Sequence, residues 1–318
     1  MTLEPFEAGH VDGCLALLEK HYRQERDIVS VLPPFADYAV ELRRRLETMA
    51  KRGLGWVLAE GNRPMAMMGG YRVHEFFGGD DGVFVPVYAH LRDESLRGDE
   101  LVALYASCAD RWVKDGMTSH AVNIFAHDRA AMDRYVSLGF GLRCVDSIRE
   151  TARLVAAPVS DRVQRVERAD IERIAEVHRR HCLYYRQSPM FMPTPDEDPV
   201  QDLRDWMCDA DHRILAYFED GACLGYIRFQ PSGESVFSAH PAAMSITGLF
   251  VVPEARNRSV GAALLDGVEA FLSERGLSLT GVDFESVNPA GARFWGRYFT
   301  PYSYSLTRRV DEDRKSVV

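Results

Sequence analysis

The chain has 318 residues, a length that favours two domains over one. Hydrophobic residues make up 46% and charged residues 27%, which excludes a disordered or fibrous chain and supplies apolar material for two cores. A formal net charge of −9 opposes binding to the phosphate backbone of nucleic acid.

The elements fall into two similar series. In the first half the patterning predicts a strand over 2–6, a helix over 11–24, and paired strands over 55–60 and 65–71. A helix over 99–114 follows, ending at Gly116, then a strand over 119–126 and a helix over 129–138 ending at Gly139. Glycine just past a helix end is the expected stop, because it adopts positive φ without steric cost. Ala156 to Ser160 is small, contains proline and interrupts the pattern. The expected domains are therefore 1–156 and 161–310. The second half repeats the order: strand 163–167, helix 170–184, strands 213–219 and 223–230 around an Asp220-Gly221 hairpin turn. A strand over 244–252, a helix over 260–275, a strand over 279–285 and a helix over 290–298 complete it. This is an α+β layout, a mixed sheet flanked by helices, in tandem.

No run approaches the roughly 18 consecutive apolar residues of a membrane span. The opening residues, MTLEPFE, carry neither the basic nor the apolar region of a secretory leader. The expected location is the cytoplasm, with no membrane or nucleic-acid partner. The six cysteines are scattered without a Cys-x-x-Cys pair, which reads as reduced and mostly buried thiols. His178, His181 and Cys182 form the one group with metal-ligand chemistry, but no second pair stands at zinc-site spacing. No metal is expected.

The most informative run is Thr247 to Leu265, TGLFVVPEARNRSVGAALL. An apolar strand ends at Pro253, and a short loop with Arg256 and Arg258 feeds straight into an amphipathic helix. Backbone N–H groups at a helix start are unpaired and sit at the positive end of the helix dipole. Small residues at Ser259 and Gly261 let an anion approach the backbone. Strand, proline, arginine, small residue, glycine and helix together describe a diphosphate cradle.

This segment resembles the coenzyme A motif of the GNAT acetyltransferase superfamily, Arg or Gln, x, x, Gly, x, Gly or Ala. Arg256 matches the first position and Gly261 the last, while Ser259 stands where the first glycine is usual. Asn288 with Ala292, Phe294 and Trp295 resembles the family's downstream Asn…Ala…Phe-Tyr element. The resemblance implies two tandem GNAT-like domains, the first degenerate. In the first half Tyr135 to Phe140 resembles the family's Tyr-x-x-x-Gly-Phe element. However, Asp93, Glu94, Asp99 and Glu100 stand where a diphosphate needs positive potential. For the second half it implies acetyl-CoA as acyl donor. The backbone of Leu249, Phe250 and Val251 would pair with the pantetheine arm. Arg256, Asn257, Arg258, Ser259, Val260, Gly261 and Ala262 would hold the pyrophosphate, with Asn288 nearby.

The implied reaction is direct attack of an amine on the thioester. A carboxylate takes the amine proton, for which Glu285 is the leading residue and Asp283 the alternative on the same strand face. A tyrosine protonates the thiolate in many family members. Trp295 occupies that position here and cannot act as an acid, which leaves Tyr298, Tyr302 and Tyr304. The acceptor is a small-molecule or peptide amine, and the protein is expected as a monomer or homodimer. A coenzyme A-binding sensor without catalysis is the alternative reading.

Overall fold

The computed structural model describes residues 1–96, 99–154, 161–194 and 198–310. In chain order the elements are β1 (Thr2–Pro5), α1 (Val11–Ile28), α2 (Ala36–Lys51), β2 (Gly55–Glu60), β3 (Arg63–Gly69), β4 (Tyr71–Val73), β5 (Gly82–Val85), β6 (His90–Arg92), α3 (Asp99–Lys114), β7 (Ser119–Phe125), α4 (Arg129–Ser137) and β8 (Gly141–Glu150). There follow β9 (Val163–Arg165), α5 (Ile171–Tyr185), α6 (Pro199–Trp206), β10 (Arg213–Glu219), β11 (Ala222–Gln230), β12 (Ala243–Val251), α7 (Val260–Glu274), β13 (Leu279–Glu285), α8 (Pro289–Trp295) and β14 (Thr300–Arg309).

The two halves share local devices. Each opens with a strand, a short 3₁₀ turn and a helix, and each turn is closed by a reciprocal acidic cap, Glu7 with His10 and Glu167 with Asp170. Later, a strand leads through a side-chain cap into a short helix. Asp128 accepts from the Ala131 amide at the start of α4, and Asn288 accepts from the Gly291 amide at the start of α8. Such caps satisfy amides that helix geometry leaves unpaired.

By contacts the chain forms two compact units, Met1–Val145 with Pro301–Val318, and Asp146–Thr300. The expected junction, Ala156 to Ser160, lies outside the described residues. The units divide instead within β8, and the closing strand of the chain belongs to the first unit.

In the first unit β1, β2, β3 and β6 form an antiparallel sheet, and β4, β5, β7 and β14 a mixed one. β14 lies antiparallel to β7, from Ser303 opposite Phe125 to Arg309 opposite Ser119. The core is built from Leu101, Leu104, Tyr105, Tyr135 and Phe140 with the strands around them.

In the second unit the strands run β9, β10, β11, β12, β13. The first four pair antiparallel and β13 joins β12 in parallel. Asp220 and Gly221 both take positive φ, 50° and 81°, as the β10–β11 hairpin turn requires. A Cβ on Gly267 of α7 would come within 3.1 Å of Leu215, so α7 lies on the face carrying Leu215 and its cross-strand partner Ile227. Tyr226, one residue away, points to the other face and meets α5. Ile227, Phe229, Ile246, Leu264, Leu265 and Val268 are among the residues of this core.

Candidate active site

The site begins with a strand that changes partners. β12 and β13 pair only from Ala243 opposite Leu279 to Ile246 opposite Val282. At Thr247 β12 carries a bulge, since Arg228 of β11 faces Gly248 while the next residue, Phe229, faces Ile246. A bulge bends the strand and increases its twist. Beyond it, residues 248–251 remain on β11 and the register with β13 stops. The edge of β12 that faces away from β11 therefore offers backbone groups to an extended ligand over Leu249, Phe250 and Val251.

This strand leads through a 3₁₀ turn, Pro253–Ala255, into the loop before α7. There the backbone alternates: Arg256 is extended, Asn257 has φ 62° and Ser259 has φ 60°. Left-handed residues next to a helix start turn successive N–H groups inward, the geometry of an anion nest. Ser259 is the N-cap residue of α7, and no side chain caps the helix. The amides of Val260, Gly261 and Ala262 are those that helix geometry leaves without an internal acceptor. The left-handed φ at Ser259 is one that favours glycine, so serine is held there at a cost. The conformation costs a residue with a Cβ about 1 kcal/mol and glycine almost nothing.

Gly261 is small for a reason that composition does not reveal. A Cβ there would come within 3.2 Å of the Phe294 ring and 3.9 Å of Leu249. The glycine thus seats the first turn of α7 against α8 and β12. Arg256 is not held out towards the loop. Its Nε donates to the Val251 carbonyl at 3.2 Å, and its guanidinium lies over the rings of Tyr184 and Phe250, 5.0 and 5.8 Å from their centroids. Arg258 pairs with Glu219 at 2.6 Å, and Glu219 also pairs with Arg162. Two arginines around one carboxylate leave this corner positive.

Tyr184 ties the parts together: its hydroxyl donates to Asn288 Oδ1 at 3.3 Å and its ring packs on Phe250. Tyr298 lies in the same unit, half-buried, with its ring 5.2 Å from Phe294. Trp295 is buried in the core against Phe299, consistent with packing rather than proton transfer. Tyr302 is buried on β14 in the first unit, as part of the strand that pairs with β7. The second unit does not supply it.

Asp283 and Glu285 stand past the last paired residue of β13, on one face. Burial pushes the Asp283 carboxyl up to about 8, and the neighbouring Glu234, Asp146 and Glu285 reinforce the shift. Oxygens of Glu234 and Asp283 lie within 4.8 Å of each other. Tyr185 of α5 feels the same group: burial pushes its hydroxyl up to about 12, Glu285 and Asp283 add to this, and Arg228 opposes it.

Beneath Phe250 runs a buried polar chain that sequence reasoning did not assemble. Asp202 Oδ2 accepts from His178 Nε2 at 2.5 Å, and the Tyr226 hydroxyl lies 2.7 Å from both His178 Nδ1 and His181 Nδ1. Burial alone would lower the His178 pKa, but the bond to Asp202, helped by Cys182, raises it. Burial lowers His181 to about 3, so its ring stays neutral. The Tyr226 hydroxyl carries one proton, so it donates to one of these imidazoles and accepts from the other. The His181 ring stacks on Phe250, 5.1 Å between centroids. The chain thus fixes β11 and β12 against α5. Its signal in the sequence was His178 and His181 one turn apart on a helix and a tyrosine inside an apolar strand.

Residues 179–299 match the model of the acetyltransferase (GNAT) family. No curated protein matches the sequence. Among solved structures, a GCN5-related N-acetyltransferase from Sphaerobacter thermophilus is similar at 14% identity, with 97% of this chain and 95% of that chain covered and a TM-score of 0.59. A tandem GNAT protein from the clavulanic acid biosynthesis pathway is similar at 16% identity, covering 98% and 100%, with a TM-score of 0.50. A GNAT-family acetyltransferase from Colwellia psychrerythraea aligns at 11% identity, covering 96% and 98%, also at 0.50. The chain shares the fold of GNAT proteins, one of them a tandem, and the region that matches the family model contains the splayed strands, the α7 loop and the paired carboxylates. Among the described residues no helix is long and apolar enough to cross a membrane.

Proposed function

We propose that the protein is an N-acetyltransferase that moves the acetyl group of acetyl-CoA to an amine at a site in the second unit. One observation carries this reading. The free edge of β12 over Leu249–Val251 runs directly into an uncapped, left-handed loop at the start of α7. An extended amide-bearing arm ending in a diphosphate needs that combination: strand-like backbone partners, then a cluster of N–H donors. The thioester supplies the activated acetyl group. The protein's own contribution is to hold the arm, admit the amine at the splay and receive its proton.

An ammonium has no lone pair, so the acceptor must lose a proton before or during attack. We assign that proton to Asp283 in place of Glu285, because a carboxyl poised near 8 is matched to work close to neutral pH. Glu285 stands beside it and helps keep its pKa high. Tyr298 packs its ring on Phe294, the residue that borders Gly261, and it is our candidate acid for the leaving thiolate.

The test is thiol release from acetyl-CoA with a panel of amines, followed across pH. The Asp283 carboxyl keeps its proton below about 8, so kcat/KM should climb as pH rises through that region. Asp283→Asn should lower the rate about 100- to 10,000-fold and abolish that limb, with coenzyme A affinity nearly unchanged. Unchanged turnover in Asp283→Asn would return the role to Glu285. Tight binding of coenzyme A without turnover of any amine would favour a non-catalytic sensor.

A further inference from the structure

Arg228 has no evident task in the reaction as drawn so far. It lies on β11, two residues from Tyr226 and on the same α5-facing side of the sheet. Its side chain crosses Gly248 of β12: a Cβ on that glycine would come within 2.9 Å of Arg228 Nε and 3.3 Å of its Cγ. The missing side chain at 248 is what lets the arginine lie over β12, towards the splay. The guanidinium stacks on Trp206 of α6, 5.5 Å from the ring centroid. Its Nε is buried, and among the described residues it meets no hydrogen-bond partner. The charges it influences are those of the surrounding elements: Asp202 and His178, already bonded to each other, His181, and Tyr185. Among the described residues no carboxylate forms an ion pair with it.

A cation in this position is not explained by the acyl donor. The pyrophosphate cradle lies at the other end of β12, beyond Val251 and the Pro253 turn. Three strand steps, about 10 Å, separate Gly248 from Val251 alone. The segment of the donor that would run along β12 is uncharged. The register places the carboxylates on that same side: Phe229, Ile246 and Val282 pair across β11, β12 and β13 on the α7 face, so Asp283 and Glu285 turn with Arg228 towards α5. The acceptor side of the splay therefore has a positive end and a negative end, with aromatic rings from α5 and α6 around it.

We propose that the acceptor is an amino acid-like molecule carrying a carboxylate beside its amine, and that Arg228 binds this carboxylate while the amine faces Asp283. The inference rests on the acetyl-transfer reading above and names the substrate class of that site. The guanidinium fork matches a carboxylate with two parallel hydrogen bonds and stays charged at every relevant pH. The stacked Trp206 holds its plane. An ammonium at the other end is steadied by the acidic pair until it gives up its proton. An acceptor lacking the carboxylate would leave a partly buried cation unpaired, which is the stronger source of discrimination.

The experiment uses the full chain, acetyl-CoA, and α- and ω-amino acids of graded length. Each is tested beside its methyl ester and its decarboxylated amine. The free acids should be preferred in kcat/KM by about 10- to 100-fold. Arg228→Gln should collapse that ratio, mainly by raising KM for the acids, and Arg228→Lys should keep part of it. Retained coenzyme A affinity verifies that the variants fold, and the acid-to-ester comparison in the wild type needs no variant. Equal use of acids and esters by the wild type would overturn the proposal while leaving acetyl transfer intact. So would an Arg228→Gln variant that loses activity equally on acids and esters. Coenzyme A binding with no turnover across the panel would overturn both the proposal and the catalytic reading. Absence of coenzyme A binding would remove the site itself.

Discussion

At the scale of single residues the site is shaped by backbone conformations that its side chains tolerate at a cost. Ser259 holds φ 60° at the start of α7, and Asn257 holds 62° two residues earlier. Asparagine visits this region readily, whereas serine is strained there. Ser259→Gly should therefore stabilise the chain by about 1 kcal/mol, provided the loop keeps its shape. Thermal denaturation with and without coenzyme A checks this: melting temperature should rise in both states. A lower melting temperature would show that the serine hydroxyl has a task. The Arg…Ser…Gly spacing pointed to this loop, but the reason for each small residue was not legible. Gly261 is required by the Phe294 ring, a neighbour more than thirty positions away in sequence. Asp283 and Glu285 were visible as a same-face pair. What raises the Asp283 carboxyl is burial and the company of Glu234, Asp146 and Glu285, which a single sequence does not order in space.

At the scale of elements, the long periodic segments were read nearly to the residue, including α3 and β13, because one apolar face fixes both type and length. α6 was not read as a helix. It has only eight residues, half of them polar, with Leu203 its one buried side chain. Yet α6 supplies Asp202 and Trp206, so an unread helix carries two residues around the acceptor side. What holds α5 and α6 to the sheet is the polar chain through Tyr226. Tyr226→Phe removes one hydroxyl and strands two buried imidazole nitrogens, at about 1–3 kcal/mol for each group left unpaired. The melting temperature should fall by several degrees. Because His181 stacks on Phe250, the KM for acetyl-CoA should rise as well. A stable variant with unaltered KM would show that apolar packing alone positions β12.

At the scale of the whole molecule, the order of elements repeats along the chain but the units do not follow the halves. The expected domains, 1–156 and 161–310, assume that each half folds its own strands. Pro301–Val318 belongs instead to the first unit, and Asp146 onward to the second. Local patterning could not show this, because a strand's apolar alternation says that it pairs and not with which strand. The consequence is a test by truncation. Ending the chain at Thr300 removes the antiparallel partner of β7 over Ser119–Phe125 and takes Leu306 out of the first core. It also bares backbone donors and acceptors along β7, an unprotected edge that promotes association between chains. The truncated protein should therefore aggregate, or melt at a distinctly lower temperature, although the loop and carboxylates of the second unit are all retained. Supplying residues 301–318 as a separate peptide should recover part of the loss. A truncated chain that stays monomeric with an unchanged melting temperature would show that β14 contributes little to the first unit.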